Sequence, residues 1–431
     1  MLEELEHIPP AVPLLINEVL AKCRDWQGAR QRLKDLLPEL KQQSEAYDAL
    51  CASRERNRAT PGSLAVYLDG GLDLFANGSG CRAFRCRVET AKRLTRSIGL
   101  IAETIWLTDV FTPRFCRFGR PTNSKLEEIL SDTLVLLELY PLMAAGVVRF
   151  RSPSVASCRA CLDKFNEEVD EIADRLRREY SDDFSLEERP GGTRVLSTGD
   201  LYAPALYLHI VPRRRGKWEP PSMDEVVHDT VRRAVRSALW TGREAVIGGG
   251  ALFSNSPIGL AGLAYKEGEV RNRSELRLLD ERRSLNVPWV SDLGGDQIVQ
   301  LRQEAASALP LFREMLAKQL TLPAVGGASD SSRSVVDDLR QQSIEVRNEL
   351  AAIQKHAARF WKTSYALLGF GLSAYGVATS QIMPAVGGLL PIIQLIMNHK
   401  SGTEREAEKV TQRPGYVLVK AQEILAHSHD S

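Results

Sequence analysis

The sequence predicts a mainly α-helical protein with a minor β component, either α+β or a degenerate α/β core, ending in a long helix and an apolar helical hairpin. Three observations predict this class. Apolar residues recur at helical spacing through much of the chain, as at Leu14, Leu15, Val19 and Leu20, then at Leu33, Leu36, Leu37 and Leu40. Strand signals are few and short, chiefly "VVRF" at 147–150 and "ALYLHIV" at 205–211. Between Lys362 and Lys400, 37 consecutive residues lack Asp, Glu, Lys and Arg, in a chain that is 26% charged overall.

Residues 12–57 read as helix, with Pro38 expected to kink or divide it. "TPGS" at 60–63 breaks the pattern, and "LAVYLDGGLDLFANGSG" follows with turn signals at Gly70-Gly71 and Asn77-Gly78. Residues 85–106 read as helix and run into "IWLTDVFTP". A helix over 124–146 has Ser124 as N-cap and Glu127 completing a capping box, with Pro141 and Gly146 as stop signals. A charged helix spans about 159–180. Another, over 223–240, opens on the capping box Ser222 to Glu225 and buries Val227, Val231, Ala234 and Ala238. Gly248, Gly249 and Gly250 then read as a tight strand-to-loop turn after the apolar run "AVI". A helix over 296–320 is interrupted at Pro310, and 322–334 reads as a linker. The expected organisation is a globular part over 1–321, the linker, and a segment over 335–431 holding a long helix, the hairpin at 362–400 and a polar tail.

In that last segment Leu339, Ser343, Val346, Leu350, Ile353, Ala357 and Phe360 alternate by four and three residues. This is a three-heptad seam, fit either for self-association as a homo-oligomer or for packing on its own domain. The charge-free run follows directly. As one helix it would be about 55 Å long, whereas a bilayer core needs about 20 residues. Pro384 and Pro391 divide it, so a hairpin is expected. Gly369 with Ser373, and Gly376 with Ser380, have the small-xxx-small spacing that lets membrane helices approach. Trp361 and Tyr365 resemble interface anchors. The polar side chains of Thr379, Gln381 and Gln394 suit a buried soluble hairpin equally, and a partner-binding surface is a third option.

Bulk charge excludes little. Lys plus Arg number 56 and Asp plus Glu 55, so the chain has no global field to draw it to nucleic acid, which is not an expected partner. Seven cysteines, all within the first 161 residues, and an acidic N-terminus without a signal-like run point to a reducing cytoplasm. Attachment to the inner face of a membrane through 362–400 would make lipid a partner.

No cofactor motif is evident, and zinc is the candidate metal. Cys158 and Cys161 form a C-x-x-C and Cys81 and Cys86 a looser pair, so four thiolates could hold zinc if the fold joined them. A redox-active C-x-x-C and simple free thiols are the alternatives. Arg213, Arg214, Arg215 and Lys217, with Arg232 and Arg236 on the next helix, form a candidate phosphate patch or a solvated charged face.

The run "ETIWLTDVF" can form a strand carrying Asp109 near its end. The helix at 124–146, "VVRF", the helix at 223–240 and "EAVIGGGALFSNSP" continue an α/β order. This order over roughly 100–260 resembles that of PIN-like nucleases. The resemblance implies strand-end carboxylates gathering a divalent metal for phosphodiester hydrolysis, with Asp109 as one ligand. The chain departs from that pattern where a late acid would follow the last strand, because Ser254, Asn255 and Ser256 stand there and bind a hard cation poorly. The resemblance therefore implies a degenerate relative. The plainer reading of Asp109 is a cap of the following turn. Three functional expectations follow: a non-enzymatic membrane-associated or assembly protein, such as a bacterial effector that acts on a membrane after a trigger; a metal-dependent nuclease or its degenerate relative; and a soluble oligomeric scaffold.

Overall fold

The computed structural model describes residues 7–53, 65–69, 74, 84–96, 98–152, 158–179, 181–189, 193–197, 208–210, 222–248, 250–253, 257–267, 290–320, 338, 341–350 and 408–429. The protein is mainly helical with a minor β component. It divides into two compact units, Met1–Leu276 and Arg277–Ser431.

In the first unit, α1 (Ala11–Leu14) continues as a π-helical turn over Leu15–Leu20, and α2 follows at Trp26–Ser53. Pro38 lies inside α2, and the break expected there falls instead between the π turn and α2. Asp25 explains the restart. Its Oδ1 accepts from the Gly28 N–H at 2.7 Å and its carbonyl from the Ala29 N–H at 3.1 Å, satisfying first-turn donors. Next come β1 (Ala65–Leu68), α3 (Phe84–Arg96), α4 (Ile98–Ile101), β2 (Thr104–Thr108), α5 (Phe111–Cys116), α6 (Asn123–Ala144), β3 (Val148–Arg151) and α7 (Arg159–Glu179). The helix expected over 85–106 therefore ends early, because its last residues enter β2. At α6 the cap is Thr122, whose Oγ1 accepts from the Lys125 N–H at 3.4 Å, and not Ser124. Gly146 ends the turn after α6 with a φ of +70°, a conformation glycine adopts without a Cβ penalty.

Strands β4 (Ser185–Arg189), β5 (Thr193–Ser197) and β6 (Leu208–Ile210) form a separate antiparallel sheet. α8 (Met223–Gly248) starts on the expected box: the Ser222 N–H donates to Glu225 Oε2 at 2.7 Å, and the Glu225 N–H to Ser222 Oγ at 3.2 Å. It then runs past its expected end through "AVI", so the apolar run before the glycines is helix and not strand. β7 (Ala251–Phe253) and α9 (Pro257–Glu267) complete the unit.

β1, β2, β3 and β7 form one parallel sheet in the order β3-β2-β1-β7. Every residue of β1 is buried, as a parallel strand covered on both faces requires. Val66, Leu68, Ile105, Leu107, Val148 and Phe150 alternate onto one face. Ala65, Tyr67 and Trp106 line the other and pack with Ala245 of α8 and with Leu252. The glycines after "AVI" permit that packing. A Cβ on Gly250 would lie 2.6 Å from the Ala65 carbonyl oxygen, and one on Gly248 would overlap the Tyr67 hydroxyl. The chain proceeds from β1 outward to β2 and β3, then returns to the far side of β1 as β7. That reversal is a topological switch point, where doubly wound sheets open a crevice outside their carboxyl ends.

The second unit contains α10 (Gly295–Glu304), α11 (Leu309–Leu320), a helical stretch over 341–350, and α12 (Gly415–His429). The interruption expected at Pro310 is a turn over 305–308, with Pro310 in the first turn of α11, where its missing N–H costs nothing. Both helices belong to the second unit, so the division falls at 276/277 and not at the linker over 322–334, which lies outside the described residues. The expected polar tail is also different. α12 is its unit's central helix, with Tyr416 through Ala426 all buried. Its start approaches the 341–350 stretch at backbone contact, since a Cβ on Gly415 would lie 2.6 Å from the Ser343 nitrogen.

Candidate functional site

Two acids stand at the carboxyl edge of the parallel sheet, one residue past its two central strands. Asp109 follows β2 and Asp69 follows β1, and each is only 2% exposed. The Asp109 Oδ1 accepts from the Phe111 N–H at 2.9 Å and the Thr112 N–H at 3.0 Å, so its carboxylate caps α5. Burial pushes its pKa above the usual carboxylate range, while those N–H donors pull it partly back. Asp69 accepts from the Ser237 hydroxyl on α8.

Arg151, the last residue of β3, reaches the same edge. Its Nη2 donates to Thr241 Oγ1 at 3.1 Å and to the Leu68 carbonyl at 3.4 Å, and its guanidinium pairs with Glu244 and lies 5.8 Å from the centre of the Tyr67 ring. Burial lowers the Arg151 pKa to about 10, with Tyr67 and Asp69 opposing that fall, so it stays cationic at neutral pH. The end of β1 therefore holds a buried ionic cluster of Asp69, Arg151 and Glu244, with Ser237 and Thr241 on α8 as its polar supports.

Beyond Asp109 the edge opens into a cleft of about 650 Å³ between α5, the turn at 117–119 and the start of α6. Asp109, Arg114, Arg117, Phe118, Lys125 and Glu128 line it. Arg114 is fixed from below: its Nη1 donates to Asp132 Oδ2 at 2.7 Å, and its Nη2 lies 3.5 Å from Glu128. Asp132 is fully buried and also pairs with buried Arg87, which in turn holds Ser131. One carboxylate thus bridges two guanidiniums under the cleft. Lys125 lies 5.9 Å from the centre of the Phe118 ring, and Arg117 is exposed at the rim. The cleft offers cations and an aromatic face, which suits a small anionic ligand with a planar group.

The other expected site residues are scattered. Arg232 pairs with Asp170, whose carboxylate raises its pKa, so it braces α7 against α8. Arg236 is half-buried on the same helix, and Arg213, Arg214, Arg215 and Lys217 lie outside the described residues. Cys158 and Cys161 are exposed at the start of α7. Cys81 and the side chain of Cys86 lie outside the described residues, within which no three His, Cys, Asp or Glu side chains converge as a metal centre would. Val346 and Leu350 of the heptad seam are buried within the chain itself, while Leu339, Ile353 and Phe360 lie outside the described residues. So do Trp361, Tyr365, Gly369, Ser373, Gly376, Ser380, Pro384 and Pro391. Among the described residues no helix is long and apolar enough to cross a membrane.

Sequence reasoning missed Asp69, although its signal is present. "LAVYLD" has the same form as "TIWLTD", an apolar run closed by an aspartate. The glycines after it are a turn signal that hides the strand end. No family model, no curated protein and no solved structure matches the chain.

Proposed function

We propose that the protein is a membrane-associated or assembly protein of two parts. The first unit binds a small anionic ligand in the cleft beside Asp109, and the charge-free run at 363–399 supplies membrane insertion or self-association. The run carries this reading: 37 residues without a charge, divided by two prolines, in a chain otherwise dense in Lys, Arg, Asp and Glu. Inserted as a hairpin, it would attach the chain to lipid at the inner face of a bacterial membrane, and several copies would meet through small-residue contacts in its first arm. The test compares the full chain with a version in which 363–399 is replaced by a short Gly/Ser linker, each fractionated between membrane and soluble phases with a carbonate wash. Retention of the full chain and release of the deletion is expected. Release of both sinks the membrane reading and leaves the soluble oligomeric scaffold.

One observation favours a second reading. Two buried aspartates end adjacent parallel strands at the carboxyl edge beside the switch point, the strand-end position at which the resemblance to PIN-like nucleases expects acids. This reading expects cleavage of RNA or DNA that requires magnesium or manganese and disappears in both Asp69→Ala and Asp109→Ala. Cleavage that survives both substitutions would reject it.

A further inference from the structure

Cys158 and Cys161 stand at the start of α7, on the connection leaving the carboxyl end of β3. Both thiols are free and exposed. The Cys161 N–H donates to Cys158 Sγ at 3.4 Å, so Cys158 takes the cap position and Cys161 lies within the first turn. Cys158 stands at the cap, outside the regular helix, and its sulfur already meets the Cys161 backbone, so an adjustment of the backbone at the cap brings the two Cβ atoms to the separation of about 4 Å that a disulfide needs.

The two thiols are unlike. The Cys161 N–H and thiol stabilise a thiolate on Cys158 and hold its pKa below the ordinary thiol range, and the neighbouring sulfur pushes Cys161 up. The first-turn N–H groups and the helix dipole act in the same direction on Cys158. By contrast Cys23, Cys51 and Cys116 are half-buried, and burial with nearby acids raises Cys116. An exposed, easily ionised thiol with a second thiol one turn away is the arrangement that dithiol exchange requires.

We infer that Cys158 and Cys161 form a dithiol–disulfide redox pair that exchanges with small disulfides of the glutathione class. The Cys158 thiolate attacks one sulfur of the small disulfide. The S–S bond breaks, a mixed disulfide forms on Cys158, and the departing thiolate takes a proton. Cys161 then loses its proton to solvent and attacks the Cys158 sulfur, expelling the second small thiol. Two electrons pass from the protein to the small disulfide, two thiols are released, and the protein holds a Cys158–Cys161 bond.

The test treats the full chain with oxidised glutathione at neutral pH, quenches with acid, labels remaining thiols with a maleimide and maps them by mass spectrometry. Cys158 and Cys161 are expected to lose labelling together, with the protein lighter by two hydrogen atoms and dithiothreitol restoring both thiols. Cys161→Ser should stop at one glutathione on Cys158. In Cys158→Ser, Cys161 should react several-fold more slowly than Cys158 does in Cys161→Ser, because it lacks the cap position and the N–H donor that Cys158 has. Matching circular dichroism spectra would establish that both exposed substitutions fold. Persistent labelling of both cysteines, under conditions that oxidise a control dithiol, overturns the inference. So does one equivalent of zinc in the purified chain that shields the same two thiols.

Discussion

Asp132 ties three helices together, pairing from α6 with Arg87 of α3 and Arg114 of α5. It is fully buried and receives both Arg87 and Arg114, so its removal strands two guanidiniums beneath the cleft. Asp132→Ala is expected to destabilise the first unit by about 3–5 kcal/mol in urea unfolding, as breaking a buried ion pair does. Asp109 makes a different prediction because its charge is a burden while its oxygen is useful. Its raised pKa means that the protonated form is favoured on folding. Stability from this group is therefore full in acid and is lost as pH rises through the raised value. Asp109→Asn keeps the cap acceptor and sheds the buried charge, so unfolding free energy should hold or rise at neutral pH and vary less with pH. Asp109→Ala loses the cap and should cost about 1 kcal/mol. The capping role of Asp109 was legible in the sequence, since an Asp before "VFTP" is a turn signal. The roles of Asp69 and Asp132 were not, because each depends on a partner 168 or 45 positions away.

At the level of elements, two packings invite test. Gly250 lets the end of α8 meet β1, and a methyl there would press on the Ala65 carbonyl and the Tyr67 ring. Gly250→Ala should destabilise the first unit by about 1–3 kcal/mol, the usual cost of overpacking, measured by thermal unfolding. In α12 the buried Lys420 Nζ lies 2.8 Å from Glu423 Oε2 and 3.4 Å from Glu304. Burial raises the Glu423 pKa and Lys420 opposes that rise, so this carboxylate weakens the unit as pH climbs through its raised value. Lys420→Met should cost about 3–5 kcal/mol and steepen that loss, and adding Glu423→Gln should recover much of it. The capping box at Ser222 marked the start of α8, because a cap is a local signal. Its end was not legible: "AVI" suits helix or strand, and the close approach to β1 settles which.

For the whole molecule, the division at 276/277 changes where the chain can be cut. A chain ending at residue 334 lacks the 341–350 stretch and α12, leaving α10 and α11 without the helix they cover. It should aggregate or unfold at lower urea than the full chain. A chain ending at Leu276 should keep a cooperative unfolding transition. Equal stability of the two truncations, read by urea unfolding and size-exclusion chromatography, would contradict the central place of α12.

Helical class, most helix positions and several caps were fixed locally, because periodicity and caps act within a turn or two of the chain. The same holds for the charge-free run and the C-x-x-C pair, whose members are neighbours in sequence. Long-range packing decided the rest. It made "AVYL" an inner strand of a parallel sheet and set Asp69 and Asp109 at its one carboxyl edge. It gathered Arg87 and Arg114 on one buried carboxylate and turned an apparent tail into the middle of a unit. Those features depend on pairings between distant residues, whose free energy exists only once the sheet and helices have come together.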